Sequence, residues 1–210
     1  MPSFDLRYIK VGKYDNTDGV ISYSDVTTMG DAMNVNIQLR FAEGRLYAEG
    51  SLAEYLREAT GGTISIGVKY IPFDAQKMMY GAREKSRNIT AAGSEDPVAV
   101  KGLAFGTKDA ANYVGVAFFA PDMIDGVRKY TCVLIHRSLF GPPAYNYVTK
   151  GDNLQFQTPT TTGEFLPAHN TDLDMMEVAI ADTEALARAW VDAGLPAAAG
   201  PTGTTGPTGP

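Results

Sequence analysis

Hydrophobic and polar residues alternate over residues 63–70, which is the period of a β-strand with one buried face. The apolar positions of this strand are Ile64, Ile66, Val68 and Tyr70. We predict that Pro72 ends the strand, because proline cannot donate to a strand ladder. A short helix is predicted next, with Asp74 as its N-cap and Gly81 as its terminator.

The same alternation predicts further strands along the chain. They cover residues 4–11, 33–41, 45–49, 98–105, 112–119, 128–140, 154–165 and 173–180. Residues 42–44 are predicted to join the second and third of these as a tight hairpin. Residues 50–60 are polar and are predicted to hold one helical turn, residues 82–97 are predicted as a loop, and Gly61-Gly62 as a pivot or bulge.

Residues 12–30 are polar and contain a short apolar island at residues 20–23. A segment of this length is rarely an idle loop in a compact domain. The pattern leaves two interpretations open, a functional arm or a hairpin that periodicity alone does not place.

One amphipathic helix is predicted near the C-terminus, capped by Asp182 and ended by Gly194. Leu186 and Trp190 mark its apolar face and are predicted to dock it onto a sheet. Residues 197–210 then change composition, with glycine at every third position from Gly200 in a Gly-Pro-Thr run. That is the collagen pattern, but the repeats are too few to hold a triple helix. We therefore predict a β domain over residues 1–196 and a flexible tail over residues 197–210.

The elements together predict a mainly β protein, an antiparallel β-sandwich of about eight strands with one flanking α-helix. The exposed faces of the strands carry Asn, Gln, Ser and Thr more than Lys and Glu. Because isolated monomers usually protect edge strands with charge, this composition favours a chain that joins its sheet to a neighbour's.

Composition limits the possible functions. The chain has 210 residues and a formal net charge of −6. This charge disfavours a protein that grips nucleic acid through its phosphates, but an acidic wall would let a polyanion pass. We find no apolar run of membrane-spanning length and no signal-peptide pattern, so we expect a cytoplasmic origin and no membrane partner.

The candidates for chemistry are weak. Cys132 is the single cysteine, which excludes an intrachain disulfide and a cysteine-based metal site. Cys132 and His136 share a strand face, but no oxyanion feature accompanies them, so we interpret them as core or interface residues. The group His169, Asp172 and Asp174 lacks the glycine pivot and closing glutamate of a calcium loop. We predict no enzyme activity, catalytic residue, cofactor or metal.

Two segments of the chain resemble the major tail tube protein family of long-tailed, siphophage-type bacteriophages. The first is LYAEGSLAEYLREATGGTISIGVKYIPFDAQKMMYG at residues 46–81, and the second is TKGDNLQFQTPT at residues 149–160. The resemblance covers residues 32–195. It implies a structural virion protein of the tail, assembled in the host cytoplasm into hexameric rings. In this family the sheets of the subunits join into an inner β-barrel, and the rings stack into a tube that conducts DNA during ejection.

This resemblance implies roles for particular residues. Residues 12–30 become a candidate inter-ring arm. The residues nominated for that arm are Asn16, Val20, Tyr23 and Met29. Residues 33–49 and 63–70 become the candidate inner sheet, with Glu43 and Glu49 as lumen-facing acids. The implied partners are further copies of the chain and other tail proteins at the tube ends, while DNA passes without specific binding.

Two other classes of protein remain open at this point. One is a capsid or tail decoration protein of a phage, which would share the β-rich composition without forming tubes. The other is a carbohydrate-binding or hydrolytic β-sandwich. That class would carry paired carboxylates and exposed aromatic residues on one face, and no such set stands out.

Overall fold

The computed structural model describes residues 5–149 and 156–196. Within them the protein is mainly β and antiparallel, as predicted. The strands are β1 (Arg7–Thr17), β2 (Val20–Thr28), β3 (Ala32–Ala48), β4 (Ser51–Val68), β5 (Arg83–Ile89), β6 (Val98–Ala104), β7 (Tyr113–Ile124), β8 (Val127–Phe140), β9 (Thr160–Phe165) and β10 (Met176–Ala181). The helices are α1 (Phe73–Tyr80) and α2 (Glu184–Gly194).

One continuous eight-stranded sheet forms the body of the protein, in the order β2-β1-β7-β8-β9-β4-β3, with β10 added beside β8. Strands β5 and β6 form a separate two-stranded sheet. The predicted sandwich of two sheets is instead a single hydrogen-bonded sheet, which curves so that strands from both halves pack into one core. β8 pairs with β7 along most of its length, and on its other edge with β10 over residues 130–135 and with β9 over residues 138–140.

Two hydrophobic cores lie on opposite faces of β7 and β8. The main core joins both halves of the bent sheet with α1. Its largest fully buried side chains include Ile9, Met29, Ile64, Ile66, Met79, Ile135, Phe140 and Phe165. The second core lies under α2 and is built from Tyr23, Ala117, Phe119, Tyr130, Cys132, Leu134, Ala187, Val191 and Leu195.

Three two-residue turns close the hairpins of the main sheet. They are Asp18-Gly19, Glu49-Gly50 and Asp125-Gly126, and both residues of each turn have positive φ. This geometry matches the right-handed twist of the flanking strands, and glycine adopts it without a steric penalty. The turns therefore fix where three pairs of long strands reverse direction.

Residues 12–30 form a hairpin and not a free arm, which corrects one of the two interpretations left open by the sequence. β1 continues to Thr17 and pairs with β2 across the Asp18-Gly19 turn. Tyr23 and Met29 are fully buried in the two cores of their own chain. The apolar island at residues 20–23 belongs to strand β2.

The hairpin predicted within residues 33–49 is wrong, and so is the helical turn within residues 50–60. β3 runs without interruption through residues 42–44, the reversal occurs at Glu49-Gly50, and β4 occupies residues 51–68. Periodicity could not find this reversal, because both faces of the hairpin are exposed beyond residue 40 and no buried side marks the strand.

The strand predicted over residues 63–70 is confirmed up to Val68, and Ile64, Ile66 and Val68 are completely buried. Tyr70 lies beyond the strand end and is 54% exposed, so its assignment to the buried face was wrong. A bulge is present beside the predicted Gly61-Gly62 position: Gly61 pairs with Arg40 and Ala59 with Phe41, which leaves Thr60 as the extra residue.

The two predicted helices exist, but their caps differ from the prediction. α1 begins after Pro72, with Asp74 inside its first turn, and ends at Gly81 in the left-handed conformation as predicted. The N-cap of α2 is Thr183, whose side-chain oxygen accepts a hydrogen bond from the Leu186 amide. The predicted loop at residues 82–97 contains strand β5. The tail at residues 197–210 lies outside the described residues.

Helix α2 docks through a different set of residues from those predicted. Ala187, Val191 and Leu195 are buried against β7 and β8. Leu186 is 57% exposed, and Trp190 is only partly buried at the edge of the second core. The correct stripe lies one residue further along the helix, where small side chains allow close approach to the sheet.

Candidate subunit interface

The outer half of the β3–β4 hairpin projects from the body of the protein. We call residues 41–60 the arm. Every residue of the arm is exposed, and none belongs to either hydrophobic core. Its ladder runs from the Phe41–Ala59 pair to the Ala48–Ser51 pair. At about 3.3 Å per residue, the arm extends roughly 25 Å beyond the core.

Gly61 and Gly62 lie where the arm leaves the core. Gly61 has a φ of 137°, and a Cβ atom at Gly62 would collide with the Gln38 carbonyl oxygen and the Phe165 ring. β4 pairs with β9 from Gly62 to Gly67, and this pairing does not extend into the arm. The arm therefore has no third strand among the described residues. Two glycines thus allow β4 to pass from a tightly packed sheet to a free hairpin.

One face of the arm is held together by aromatic and charged side chains. The Arg57 guanidinium lies 3.9 Å from the centre of the Phe41 ring, and Arg45 lies 5.6 Å from the centre of the Tyr55 ring. Glu43 contacts Arg45 at 3.3 Å and Arg57 at 3.6 Å. We call this the paired face, because each of its charged side chains has an ion-pair partner within the hairpin.

The opposite face of the arm has no such pairing. The strand register places Leu46 opposite Glu54, Gly44 opposite Leu56 and Ala42 opposite Glu58. Leu46 is 56% exposed and Leu56 is 62% exposed. Glu54 and Glu58 make no ion pair with any described residue. We call this the acidic face. Exposed leucines and unpaired carboxylates thus share this face of the arm.

A second hairpin also stands free of the main sheet. Strands β5 and β6 pair over Arg83–Ile89 and Val98–Ala104, and their outer residues are exposed. The register places Lys85 opposite Gly102, Arg87 opposite Val100 and Ile89 opposite Val98 on one face. We call this the basic face of the β5–β6 hairpin.

Charges are compensated on the other face of the β5–β6 hairpin but not on its basic face. Glu84 contacts Lys77 at 3.2 Å and Lys101 at 3.3 Å, and these ammonium groups hold the pKa of Glu84 below its ordinary value. Lys85 and Arg87 have no carboxylate partner among the described residues. Two cations and three exposed aliphatic side chains thus share a face with nothing covering it.

The main sheet is open at both ends of its strand order. β2 and β3 are the terminal strands, and each pairs with a single neighbour among the described strands. The inner part of β3, from Ala32 to Leu39, carries no charged side chain. This edge lacks the lysines and prolines that usually block pairing with another chain.

The residues nominated from the sequence are scattered over the structure. Asn16 donates to the His169 carbonyl at 3.0 Å, so it supports the β1–β2 turn within its own chain. Among the four residues that the sequence nominated within residues 12–30, only Val20 is well exposed, at 68%. Glu43 is ion-paired on the arm, and Glu49 lies at the arm's tip in the Glu49-Gly50 turn. Two of the four residues nominated for the inter-ring contact, Tyr23 and Met29, are therefore buried within their own chain.

A pocket of about 350 Å³ lies beside α2, lined by Tyr23, His136, Glu177 and Trp190 among others. Its polar groups contact one another. The Tyr23 hydroxyl donates to the His136 carbonyl at 3.2 Å, and His136 Nε2 lies 2.9 Å from a Glu177 carboxylate oxygen. Burial raises the pKa of Tyr23 above its ordinary value. These contacts stabilise the seam between β2, β8 and β10.

The other chemistry candidates are also engaged in local contacts. The Cys132 thiol is buried and its sulfur lies 3.8 Å from the Tyr130 carbonyl oxygen. His169 Nε2 lies 2.9 Å from Arg137, and Asp174 accepts from Asn170 at 2.9 Å. Across the described residues, no three His, Cys, Asp or Glu side chains come together as a metal-binding group. Neither helix has the length and apolarity needed to cross a bilayer.

Comparison with known proteins does not assign a family. No protein-family model matches the chain, and no curated protein matches it.

Proposed function

We propose that this chain is a major tail tube subunit of a long-tailed bacteriophage, which assembles into hexameric rings that stack into a conduit for DNA. The observation that carries the proposal is the open, uncharged edge of β3, which continues into a projecting arm. An unprotected edge exposes a monomer to aggregation, whereas a polymer uses the same edge to join its subunits.

The edge of β3 favours sheet joining between subunits. A strand of 17 residues that pairs on one side only leaves a row of backbone donors and acceptors without partners in the sheet. If β3 of one copy lies beside β2 of the next, each copy closes one edge of its neighbour. Repetition of this heterologous contact around a ring closes both terminal edges of the main sheet and yields a closed barrel.

The arm favours contact between copies of the chain as well. Exposed apolar side chains are concentrated there, with Tyr47 at 62%, Leu52 at 53% and Leu56 at 62%. A two-stranded hairpin of this kind is marginally stable by itself in water. Burial against a neighbour would stabilise it at about 25 cal/mol per Å² of apolar surface. In a stacked tube, the neighbour is an adjacent ring.

Electron microscopy of the purified protein tests the proposal. Rings with sixfold symmetry, or stacked rings with a central lumen, are the expected result. Closed shells would indicate the decoration or capsid class instead. Dispersed monomers at every concentration tested would contradict the proposal, because both surfaces would then be stable without a partner.

A further inference from the structure

We propose that the acidic face of the arm binds the basic face of the β5–β6 hairpin of a second copy of this chain. The inference rests on the proposed function, because it assigns one specific contact between subunits of the assembly. It pairs the faces of two hairpins with one another, whereas the resemblance to tail tube proteins nominated residues 33–49 only as part of the inner sheet and gave the β5–β6 hairpin no role.

The two faces match in chemistry. The acidic face presents Glu54 and Glu58 with Leu46 and Leu56. The residues of the basic face are Lys85, Arg87, Ile89, Val98 and Val100. Each face combines two unpaired charges of one sign with exposed aliphatic side chains, and the signs are opposite. Complementary charges of this kind fix register and exclude wrong partners, while the aliphatic side chains supply the buried area.

A second copy is the natural occupant because each chain carries both halves of the contact. In the folded chain, the acidic face and the basic face are both exposed, so neither covers the other within one molecule. Glu43 is paired with Arg45 and Arg57, and Glu84 is paired with Lys77 and Lys101. On the two proposed contact faces, Glu54, Glu58, Lys85 and Arg87 have no ion-pair partner among the described residues.

In a stack, the acidic face of one copy meets the basic face of the next copy, which is a heterologous contact. Such contacts do not close on themselves in a dimer and instead generate rings or open arrays. An arm that extends roughly 25 Å from the core reaches beyond the body that carries it. The contact therefore propagates along an assembly, which is the geometry needed to join successive rings.

Charge reversal of each face tests the proposal. Glu54→Lys with Glu58→Lys reverses the acidic face, and Lys85→Glu with Arg87→Glu reverses the basic face. Each pair should raise the concentration needed for assembly at least tenfold, because two like-charge contacts replace two attractive ones. The chain that carries all four substitutions has the wild-type net charge and complementary faces again, so it should assemble at close to the wild-type concentration. Ser86→Glu with Asn88→Glu, on the opposite face of the β5–β6 hairpin, is the control. Sedimentation velocity measures the association.

A designed disulfide gives an independent readout. Cys132 is the single cysteine and is fully buried, so it does not interfere. Leu56→Cys together with Val100→Cys should produce a ladder of linked chains on a non-reducing gel. The pair Leu56→Cys with Leu103→Cys places the second thiol on the other face of β6 and should give no ladder.

The outcomes separate this inference from the proposed function. Tubes that form normally in both reversal variants, or tubes without the disulfide ladder, would overturn the inference and leave the tube function standing. A ladder and charge rescue in small oligomers without a lumen would support the inference and contradict the tube function. If the variant with all four substitutions did not regain assembly at close to the wild-type concentration, the proposed contact would also be overturned. If Lys85 and Arg87 instead bind duplex DNA, basic-face reversal would abolish that binding and leave association unchanged, which would again overturn it.

Discussion

At the level of single residues, Gly62 decides whether the arm can leave the core. Its Cα lies so close to the Gln38 carbonyl and the Phe165 ring that no side chain fits. Phe165 is completely buried in the main core and cannot move aside without loss of packing.

We predict that Gly62→Ala destabilises the fold by about 1–3 kcal/mol or more, because overpacking forces strands β3, β4 and β9 apart. Urea unfolding followed by circular dichroism measures the loss. Gly44→Ala is the matched control on the same hairpin. A Cβ atom there would meet Leu56 Cβ at 3.9 Å, an ordinary contact, and we expect a change within about 0.5 kcal/mol. Equal effects at the two glycines would contradict this account of the close approach.

At the level of elements, the docking of α2 distinguishes two faces of one helix. Val191 is fully buried in the second core, while Leu186 is 57% exposed despite its hydrophobic side chain. Substitution of aspartate at both positions changes helix propensity at each of them by a similar small amount. A difference in the free energy of unfolding between the two variants therefore reports burial.

We predict that Val191→Asp lowers the free energy of unfolding by several kcal/mol, since it buries a charge without a partner. Leu186→Asp should change it by no more than about 0.5 kcal/mol. Thermal and urea denaturation of the two variants measure the difference. A large loss in Leu186→Asp would mean that α2 docks through the face expected from the sequence.

The elements also show what the sequence could predict. Strands with one buried side were found, and Ile64, Ile66 and Val68 are the clearest example. Elements without a buried side were missed or divided: the arm portion of β4 and β5 were not predicted as strands, and β3 was split by a turn at residues 42–44. For these, tertiary burial imposes no alternation, so periodicity carries no signal.

Turn chemistry would have located two of the missed hairpins. Asp18-Gly19 separates two segments that end and begin in β-prone residues, which is the strongest short-range hairpin signal. Glu49-Gly50 is a weaker form of the same signal, because glutamate adopts positive φ less readily than aspartate or asparagine. The position of α2 on the sheet could not be read from its amphipathicity alone, since Leu186 and Ala187 are adjacent and the smaller residue is the one that docks.

We predict that the arm is needed for assembly but not for folding. Replacement of residues 43–57 by Asn-Gly would join the opposed residues Ala42 and Glu58 through a two-residue turn. No residue of the arm belongs to either core, so the free energy of unfolding should change by less than about 1 kcal/mol. Sedimentation velocity should show a folded monomer that forms no long tubes. Tubes of normal length from this variant would exclude the arm from the contacts between rings.

At the level of the whole molecule, net charge bears on what a tube could conduct. The chain carries a formal charge of −6, and each subunit of an assembly adds the same charge again. An acidic wall repels phosphates, whereas a basic wall forms ion pairs that release counterions and hold DNA in place. We therefore expect assembled tubes to bind duplex DNA weakly at low and at physiological salt.

The structure changes which acid best tests this expectation. Glu43 is balanced by Arg45 and Arg57, so its replacement would disturb the paired face of the arm. Glu49 lies at the exposed tip and has no ion-pair partner among the described residues, which makes it the cleaner probe. We predict that Glu49→Lys tubes assemble normally, since Glu49 lies in the turn at the arm's tip and not on the acidic face. They should bind fluorescent duplex DNA more tightly than wild-type tubes at low salt, and the difference should fade as salt rises, because screening shortens the reach of each charge. Fluorescence anisotropy across a salt series measures both.

Identical DNA binding by the two kinds of tube at low salt would remove Glu49 from the path of the DNA. Tight, steeply salt-dependent binding by wild-type tubes would contradict the acidic conduit itself, because a wall that holds phosphates cannot release a genome quickly.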